Sequence, residues 1–164
     1  MITRRALLLV NPKARNGDVG VEGVAAVLRE GGVEPAFVEA PRRDREQTEA
    51  LIRERAAAVD LVVAGGGDGT INATLRGLVD ARLPLGILPL GTANDLARTL
   101  GLPGDPVAAA RVITAGARRR IDLGEVDGRL YFNVASVGFS AELARRLTRR
   151  AKKRWGVLGY AVAA

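Results

Sequence analysis

A short apolar segment that ends in a glycine loop constrains the fold more than any other part of the sequence. Residues 61–72 read LVVAGGGDGTIN, in which an apolar run leads into three glycines, Asp68, a fourth glycine and Thr70. Glycine adopts backbone angles closed to other residues and lets other groups approach the main chain. Successive backbone N–H groups ahead of a helix form an anion-binding hollow. The segment therefore predicts a strand, a phosphate-binding loop and a helix.

Asp68 is the unusual residue of this loop, because its charge repels phosphate. A divalent cation between the two would resolve the repulsion, since Mg²⁺ is typically held by one or two carboxylates and substrate phosphates. The alternative is a tight glycine turn in which Asp68 caps a helix without any ligand. The loop lacks the Gly-Lys-Ser/Thr of a P-loop, and it does not follow the first strand as the dinucleotide-binding pattern does.

Composition excludes several classes of site. The chain has 164 residues, 48% of them apolar, which is enough for one compact domain with a core. It has no cysteine and no histidine, which excludes disulfides, thiolate or histidine metal sites and Ser-His-Asp triads. The net charge of +7 favours polyanionic partners, and the 4% aromatic content argues against single-stranded nucleic acid. No apolar run is long enough to span a bilayer.

Strand and helix patterns alternate through most of the chain. Strands are predicted at 6–10, 35–39, 61–64 and 84–88, and helices at 21–30, 44–58, 70–80, 96–100 and 106–115. This alternation predicts right-handed βαβ units and a mostly parallel sheet. Asp44 and Asp105 are the predicted caps of the second and last of these helices. The helix after the glycine loop is predicted to carry its apolar face on Ile71, Leu75, Leu78 and Val79. Asp127-Gly128 between two β-rich runs then predicts a hairpin, and a last amphipathic helix is predicted from Ser140.

The loop after the fourth strand repeats the form of the glycine loop. Residues 69–72 read GTIN and residues 91–94 read GTAN, and both follow an apolar strand and open a helix. In open α/β sheets ligands bind at the carboxyl ends of the strands, where such loops lie. Thr92 and Asn94 are therefore candidates alongside Thr70 and Asn72. The alternative is a coincidence of two capped helix starts.

Three carboxylates occur at comparable places, Asp68, Asp95 and Asp122. Carboxylates brought together repel one another, so such a cluster implies a cation or a proton to hold them. Asp122 lies in a strand-like run, where aspartate is unusual. Its alternative role is pairing with the arginines at 118–120.

Taken together, these motifs resemble the catalytic domain of the diacylglycerol kinase family, in its soluble bacterial lipid-kinase branch. The resemblance covers nearly the whole chain and rests on residues 10–12, 65–70 with Asn72, 89–97, 121–124 and 132–139. It implies an α/β fold, a three-layer sandwich with a mostly parallel sheet, like the nucleotide-binding domain of phosphofructokinases and NAD kinases.

The same resemblance implies a function and a set of site residues. The implied activity is ATP-dependent transfer of the γ-phosphoryl group to a lipid hydroxyl, in phospholipid metabolism. The implied cofactors are ATP and Mg²⁺. Asp68, Asp95 and Asp122 match the family's acidic positions, tied to Mg²⁺ through water. The candidate nucleotide-binding residues are Asn11, Pro12, Lys13, Gly65, Gly66, Gly67, Asp68, Gly69, Thr70, Asn72, Thr92 and Asn94.

The resemblance also sets expectations for the whole protein. Residues 1–164 match an N-terminal ATP-binding domain, and the family's β-sandwich domain, glutamate general base and lipid pocket are expected after Ala164. The chain alone is therefore expected to transfer phosphate weakly or not at all. Residues 14–15 read Ala-Arg where many members have Ser-Gly, and the family's threonine after the second strand has no clear match at 38–41.

A cytoplasmic protein held peripherally at the inner membrane surface is the expected location. The basic run at 145–154 predicts an amphipathic helix on an anionic membrane, or else a solvated helix face. Two other functions stay open: an NAD kinase-like enzyme, and a non-catalytic module that binds nucleotide or membrane. The sequence does not identify the lipid, and it leaves a homo-oligomer open.

Overall fold

The computed structural model describes residues 3–11, 21–41 and 44–132, and the architecture is that of these residues. In chain order the elements are β1 (Arg4–Val10), α1 (Val21–Glu30), β2 (Val33–Glu39), α2 (Arg45–Arg55) with a 3₁₀ turn (Ala56–Ala58), β3 (Leu61–Gly66), α3 (Asp68–Ala81), β4 (Leu85–Pro89), α4 (Asp95–Thr99), α5 (Pro106–Ala115), β5 (Gly124–Val126) and β6 (Arg129–Tyr131). The four strands predicted before residue 90 are all present.

The main sheet is fully parallel, with the strand order β2-β1-β3-β4. Its two central strands, β1 and β3, are buried along most of their length. Continuous apolar runs such as residues 6–10 suit strands that are covered on both faces. The predicted mostly parallel sheet is confirmed.

Helices cover both faces of this sheet, which makes a three-layer α/β sandwich. On one face, Leu8 and Val63 pack against α1 and α5, and these two helices contact each other. On the other face, Leu7 and Val62 pack against α2 and α3, which also contact each other. Successive side chains of a strand point to opposite faces, so one apolar run supplies both cores. The predicted three-layer architecture is confirmed.

Side chains that cap helices fix two of the helix starts as predicted. The Asp44 carboxylate accepts the N–H of Gln47 at 2.9 Å, at the start of α2. Asp105 accepts the N–H of Ala108 at 2.7 Å, and Pro106 is the first residue of α5. One detail of α3 was wrong: Val79 is 48% exposed, because the buried face of the helix is carried by residues 71, 74, 75, 77 and 78.

The predicted hairpin is present but shorter than its β-rich sequence. Val126 pairs with Arg129, and the turn residues Asp127 and Gly128 have φ of 48° and 72°, as a two-residue type I′ turn requires. Asp122 was predicted in a strand and instead lies in irregular chain before β5. The helix predicted from Ser140 lies outside the described residues.

None of the helices in the part of the chain that the structure describes has both the length and the apolar character needed to cross a bilayer.

Candidate functional site

The candidate site lies where the chain leaves two neighbouring strands in opposite directions. From β1 the chain crosses to β2 on one side, whereas from β3 it crosses to β4 on the other. A crevice opens at the carboxyl ends of strands at such a switch point. Asn11 follows β1 there, and its backbone N–H donates to the Gly65 carbonyl at 2.9 Å. The Asn11 amide nitrogen also donates to the Thr70 hydroxyl at 3.4 Å.

The structure thus brings together Asn11, Gly65 and Thr70, which the sequence had placed in one site. Pro12 and Lys13, predicted beside them, lie outside the described residues. The hydrogen bond from Asn11 gives the Thr70 hydroxyl a donor from the end of the neighbouring strand.

Each glycine of the loop has a different steric surrounding. A Cβ atom on Gly66 would lie 2.4 Å from the Thr70 hydroxyl oxygen, so any other residue would displace that hydroxyl. Gly69 is exposed, and a Cβ atom on it would meet nothing within 4 Å. The first backbone N–H groups of a helix have no acceptor within it. The N–H groups of Asp68 and Gly69, the first two residues of α3, are therefore left without an acceptor inside the helix.

The two loops of similar sequence touch each other through their glycines. A Cβ atom on Gly91 would lie 2.4 Å from the Cα of Gly67. The N–H of Leu90 donates to the Gly66 carbonyl at 3.1 Å, just before this contact. The two loops therefore lie against each other at the carboxyl ends of β3 and β4.

Asp68 links the same two loops through its side chain. It is the first residue of α3, and its Oδ1 accepts the N–H of Leu96, the second residue of α4, at 3.2 Å. An N-cap side chain normally makes this bond within its own helix. The negative charge lies between two helix N-termini, which favour it. The helix-capping role foreseen as the alternative for Asp68 is therefore present, on α4, and it uses only one carboxylate oxygen.

Two predicted phosphate-orienting amides have partners inside the protein. Asn94 has φ 51° and ψ 47°; its Oδ1 accepts the Gly91 N–H at 2.9 Å and its Nδ2 donates to the Gly91 carbonyl at 3.0 Å. The Asn72 Oδ1 accepts the N–H of Phe132 at 3.4 Å, where β6 ends. Thr92, by contrast, is exposed at the rim. Of the second loop's two candidate nucleotide-binding residues, Thr92 is the one with its side chain open to solvent.

The other two acids are exposed. The Asp95 carboxylate lies 3.9 Å from the Arg98 guanidinium, and its side chain is 57% exposed. Asp122 is also exposed, and no ion pair within the described residues joins it to the arginines at 118–120. Its neighbour Leu123 packs against the apolar cluster that contains Leu96, on the side of the sheet where α4 lies.

Direct metal binding by these acids is not seen among the described residues. Within residues 3–11, 21–41 and 44–132, no three acidic side chains are grouped closely enough to hold a metal ion themselves. The predicted arrangement was one in which water molecules stand between the acids and the ion. That arrangement stays a prediction.

Two parts of the site had no place among the predicted residues. The Leu96 amide, which binds Asp68, is a backbone group and leaves no signal in the sequence. Gly91 contacts Gly67 and Asn94. Its signal in the sequence is the repeat of residues 69–72 at 91–94, from which only the polar side chains are predicted as site residues.

Comparison with known proteins gives one consistent result. The sequence model of the family described as "Diacylglycerol kinase catalytic domain" matches residues 5–126. A "Probable lipid kinase YegS-like" of Pseudomonas aeruginosa is 38% identical over 156 residues, covering 94% of this chain and 51% of that protein. A "Diacylglycerol kinase" of Bacillus subtilis is 42% identical over 115 residues, covering 68% of this chain and 37% of that protein.

A solved structure has the same fold. The crystal structure of a diacylglycerol kinase from Bacillus anthracis str. Sterne superposes with a TM-score of 0.68 at 31% identity, covering 79% of this chain and 50% of that one. The chain spans about half or less of the length of the relatives it matches. With its parallel sheet, its paired glycine loops and a family match over most of its residues, the chain belongs to the diacylglycerol kinase catalytic domain family.

Proposed function

We propose that this chain is the nucleotide-binding part of an ATP-dependent lipid kinase, which transfers the γ-phosphoryl group to a lipid hydroxyl. The observation that carries the proposal is the contact between the loops at Gly67 and Gly91, at the switch point of the sheet. This contact places the start of α3 beside the loop that leads into α4, and each of the two segments carries a threonine, Thr70 and Thr92. The printed names of the relatives, lipid kinase and diacylglycerol kinase, support the reaction class.

The phosphates are proposed to lie against the start of α3. The N–H groups of Asp68 and Gly69, the first two residues of α3, have no acceptor within the helix, and the helix dipole favours negative charge at this end. The Thr70 hydroxyl, held by the Asn11 amide, and the exposed Thr92 hydroxyl orient the phosphates from either side. Positioning of this kind is the main demand of phosphoryl transfer, because the protein has little covalent chemistry to do.

The donor set also fits Mg²⁺, which prefers carboxylate and water oxygens. Asp68 holds one carboxylate oxygen toward the Leu96 amide, and the other has no hydrogen-bond partner among the described residues. We propose that this oxygen, with Asp95 and Asp122, holds the ion through water. A bound Mg²⁺ would supply charge neutralisation for the phosphoryl group that is transferred.

The acceptor is proposed to be a membrane lipid, met by a cytoplasmic protein that binds the membrane surface peripherally. The net charge of +7 favours anionic surfaces. The basic run at 145–154, predicted to lie on the membrane, is outside the described residues.

Two measurements test the function. Isothermal titration of the chain with ATP and Mg²⁺ should give binding that Thr70→Val weakens about tenfold, because the variant loses one oriented hydroxyl. The matched control is Arg53→Ala, which removes the exposed Arg53–Asp80 pair on α2 and α3 and should leave ATP binding unchanged. No ATP binding by the wild-type chain contradicts the proposed site.

The second measurement offers ATP with diacylglycerol, or ATP with NAD, to the full-length gene product. Phosphorylation of the lipid and not of NAD supports the proposal, and the reverse preference supports an NAD kinase-like enzyme. Binding of ATP without transfer to either acceptor supports a non-catalytic nucleotide-binding module.

A further inference from the structure

We infer that Asn94 is a positioning residue: it holds the second loop in one conformation against the glycine loop, and it does not itself contact the phosphates. The inference deepens the proposed function and rests on it, because the group that it positions is Thr92 in the nucleotide site. It replaces the sequence-based prediction of a direct phosphate contact by Asn94.

Both polar atoms of the Asn94 side chain are used within the loop. Oδ1 accepts from the Gly91 amide and Nδ2 donates to the Gly91 carbonyl, at 2.9 and 3.0 Å. Because the Asn94 side chain binds both the N–H and the carbonyl of Gly91, it restrains the backbone between these two residues. The side chain is half-buried. Nδ2 keeps a second N–H that is not bound to Gly91; whether this N–H reaches a phosphate is decided by the double-mutant cycle below.

The backbone of Asn94 agrees with this role. Its φ of 51° and ψ of 47° are left-handed, a conformation that asparagine tolerates better than most residues. Asn94 precedes α4 at the N-cap position, yet makes no side-chain cap bond to it. Asp68 makes that bond instead, to Leu96. Because another residue caps the helix, the Asn94 amide is available to turn back onto Gly91.

Asn94 and the glycine loop act on Gly91 from two directions. A Cβ atom on Gly91 would lie 2.7 Å from the Asn94 Oδ1 and 2.4 Å from the Gly67 Cα. Gly91 is thus held between the side chain of its own loop and the backbone of the other. Thr92 follows at once, so the direction of its hydroxyl is set by the conformation that Asn94 imposes.

The first test measures nucleotide affinity in a double-mutant cycle. Asn94→Gly tolerates the left-handed backbone but loses both bonds, and should weaken ATP binding by about tenfold in the wild-type chain. In a Thr92→Val background the same substitution should change affinity by less than about twofold, because residues that act through one another are not additive. Full additivity of the two changes would mean that Asn94 contacts the ligand independently, and would overturn the inference.

The second test needs no nucleotide. Amide hydrogen exchange of the free chain should be faster at Gly91 in Asn94→Gly than in wild type, by about tenfold or more, because the Gly91 N–H loses its acceptor. Asn94→Asp keeps that acceptor and should retain most of the protection. Unchanged exchange at Gly91 in Asn94→Gly would overturn the inference.

A matched control separates positioning from general destabilisation. Gly32→Ala places alanine in a left-handed backbone, φ 73°, with nothing within 4 Å of the new Cβ, and Gly32 lies at the amino end of the strands, beside Arg4. It should lower thermal stability without changing ATP affinity or exchange at Gly91. If the wild-type chain binds no ATP, the proposed function fails, and exchange at Gly91 still decides whether Asn94 holds the loop.

Discussion

The Asp68 carboxylate accepts the backbone N–H of Leu96 at 3.2 Å, so that an acid of the first loop caps the helix that follows the second. Asp68 therefore has two roles that substitution can separate. One is a hydrogen bond that needs only an acceptor oxygen. The other is a negative charge, which the proposed Mg²⁺ site requires.

Asp68→Asn should separate these roles. The amide oxygen of asparagine can still accept the Leu96 N–H, so the free energy of unfolding should fall by no more than about 1 kcal/mol, the contribution of the charge at the helix N-termini. Turnover of the full-length gene product should fall by several powers of ten, because the charge that helps to hold Mg²⁺ is lost. Lipid phosphorylation and thermal unfolding measure the two effects.

Asp68→Ala is the matched variant, because it removes both the charge and the cap. It should lower turnover as much as Asp68→Asn and, in addition, destabilise the fold by about 1 kcal/mol, the usual contribution of a capping side chain. If Asp68→Asn keeps turnover within about threefold of wild type, Asp68 has no part in the mechanism.

Gly91→Ala should separate the two loops. The added methyl group would lie 2.4 Å from the Gly67 Cα, and backbone cannot rotate away as a flexible side chain does. We expect a loss of about 1–3 kcal/mol of stability and weaker ATP binding. Calorimetry of unfolding and ATP titration are the measurements. The control is Gly104→Ala, in the loop before α5, where a Cβ atom meets nothing within 4 Å; equal losses in the two variants would contradict the loop contact.

The fold was largely predictable because its signals are local. Each signal determines the backbone of residues only a few positions away. The examples are the apolar runs of β1 and β3, the caps Asp44 and Asp105, and the turn at Asp127-Gly128. Local hydrogen bonds and binary patterning give such elements a recognisable sequence. Val79 and Asp122 were misplaced because helix faces and strand ends depend on what packs nearby.

The candidate site was predictable as a set of loops, and its internal contacts were not. The sequence placed Asp68, Asn72 and Asn94 near one rim, but their hydrogen-bond partners are the backbone groups of Leu96, Phe132 and Gly91. Every residue carries such groups, so sequence patterns cannot select among them. Two of these bonds also span 28 and 60 residues, which only the folded chain brings together.

Arg76 should hold the β5–β6 hairpin on α3. Its Nη2 donates to the Glu125 carboxylate at 2.9 Å and to the Gly128 carbonyl at 3.1 Å. Because the pair is exposed, Arg76→Ala should cost at most about 1 kcal/mol of global stability, while amide exchange in the hairpin becomes faster. Arg53→Ala removes a comparable exposed pair with Asp80 and should leave hairpin exchange unchanged. Unaltered hairpin exchange in Arg76→Ala would show that the apolar contacts of Leu130 suffice.

The 164-residue chain alone should phosphorylate diacylglycerol very weakly or not at all. It has no histidine, and its three candidate acids are the ones proposed to hold Mg²⁺, which leaves none of them assigned to take the proton of a lipid hydroxyl. The full-length gene product, assayed beside it at equal concentration with ATP and Mg²⁺, provides the reference rate. Full-rate lipid phosphorylation by the chain alone would mean that it contains the general base and the acceptor site.

Membrane binding should depend on the basic run at 145–154. Each basic residue near an anionic surface contributes about 1 kcal/mol, and the attraction weakens with salt. Sedimentation with vesicles that contain phosphatidylglycerol should therefore fall sharply in the variant Arg149→Gln, Arg150→Gln and Lys152→Gln. The control changes the three exposed arginines at 118–120 to Gln, which removes the same charge elsewhere and should weaken binding much less. If both variants lose vesicle binding equally, the attraction depends on net charge and not on the basic run. Binding that changes with neither salt concentration nor anionic lipid content would exclude an electrostatic membrane site.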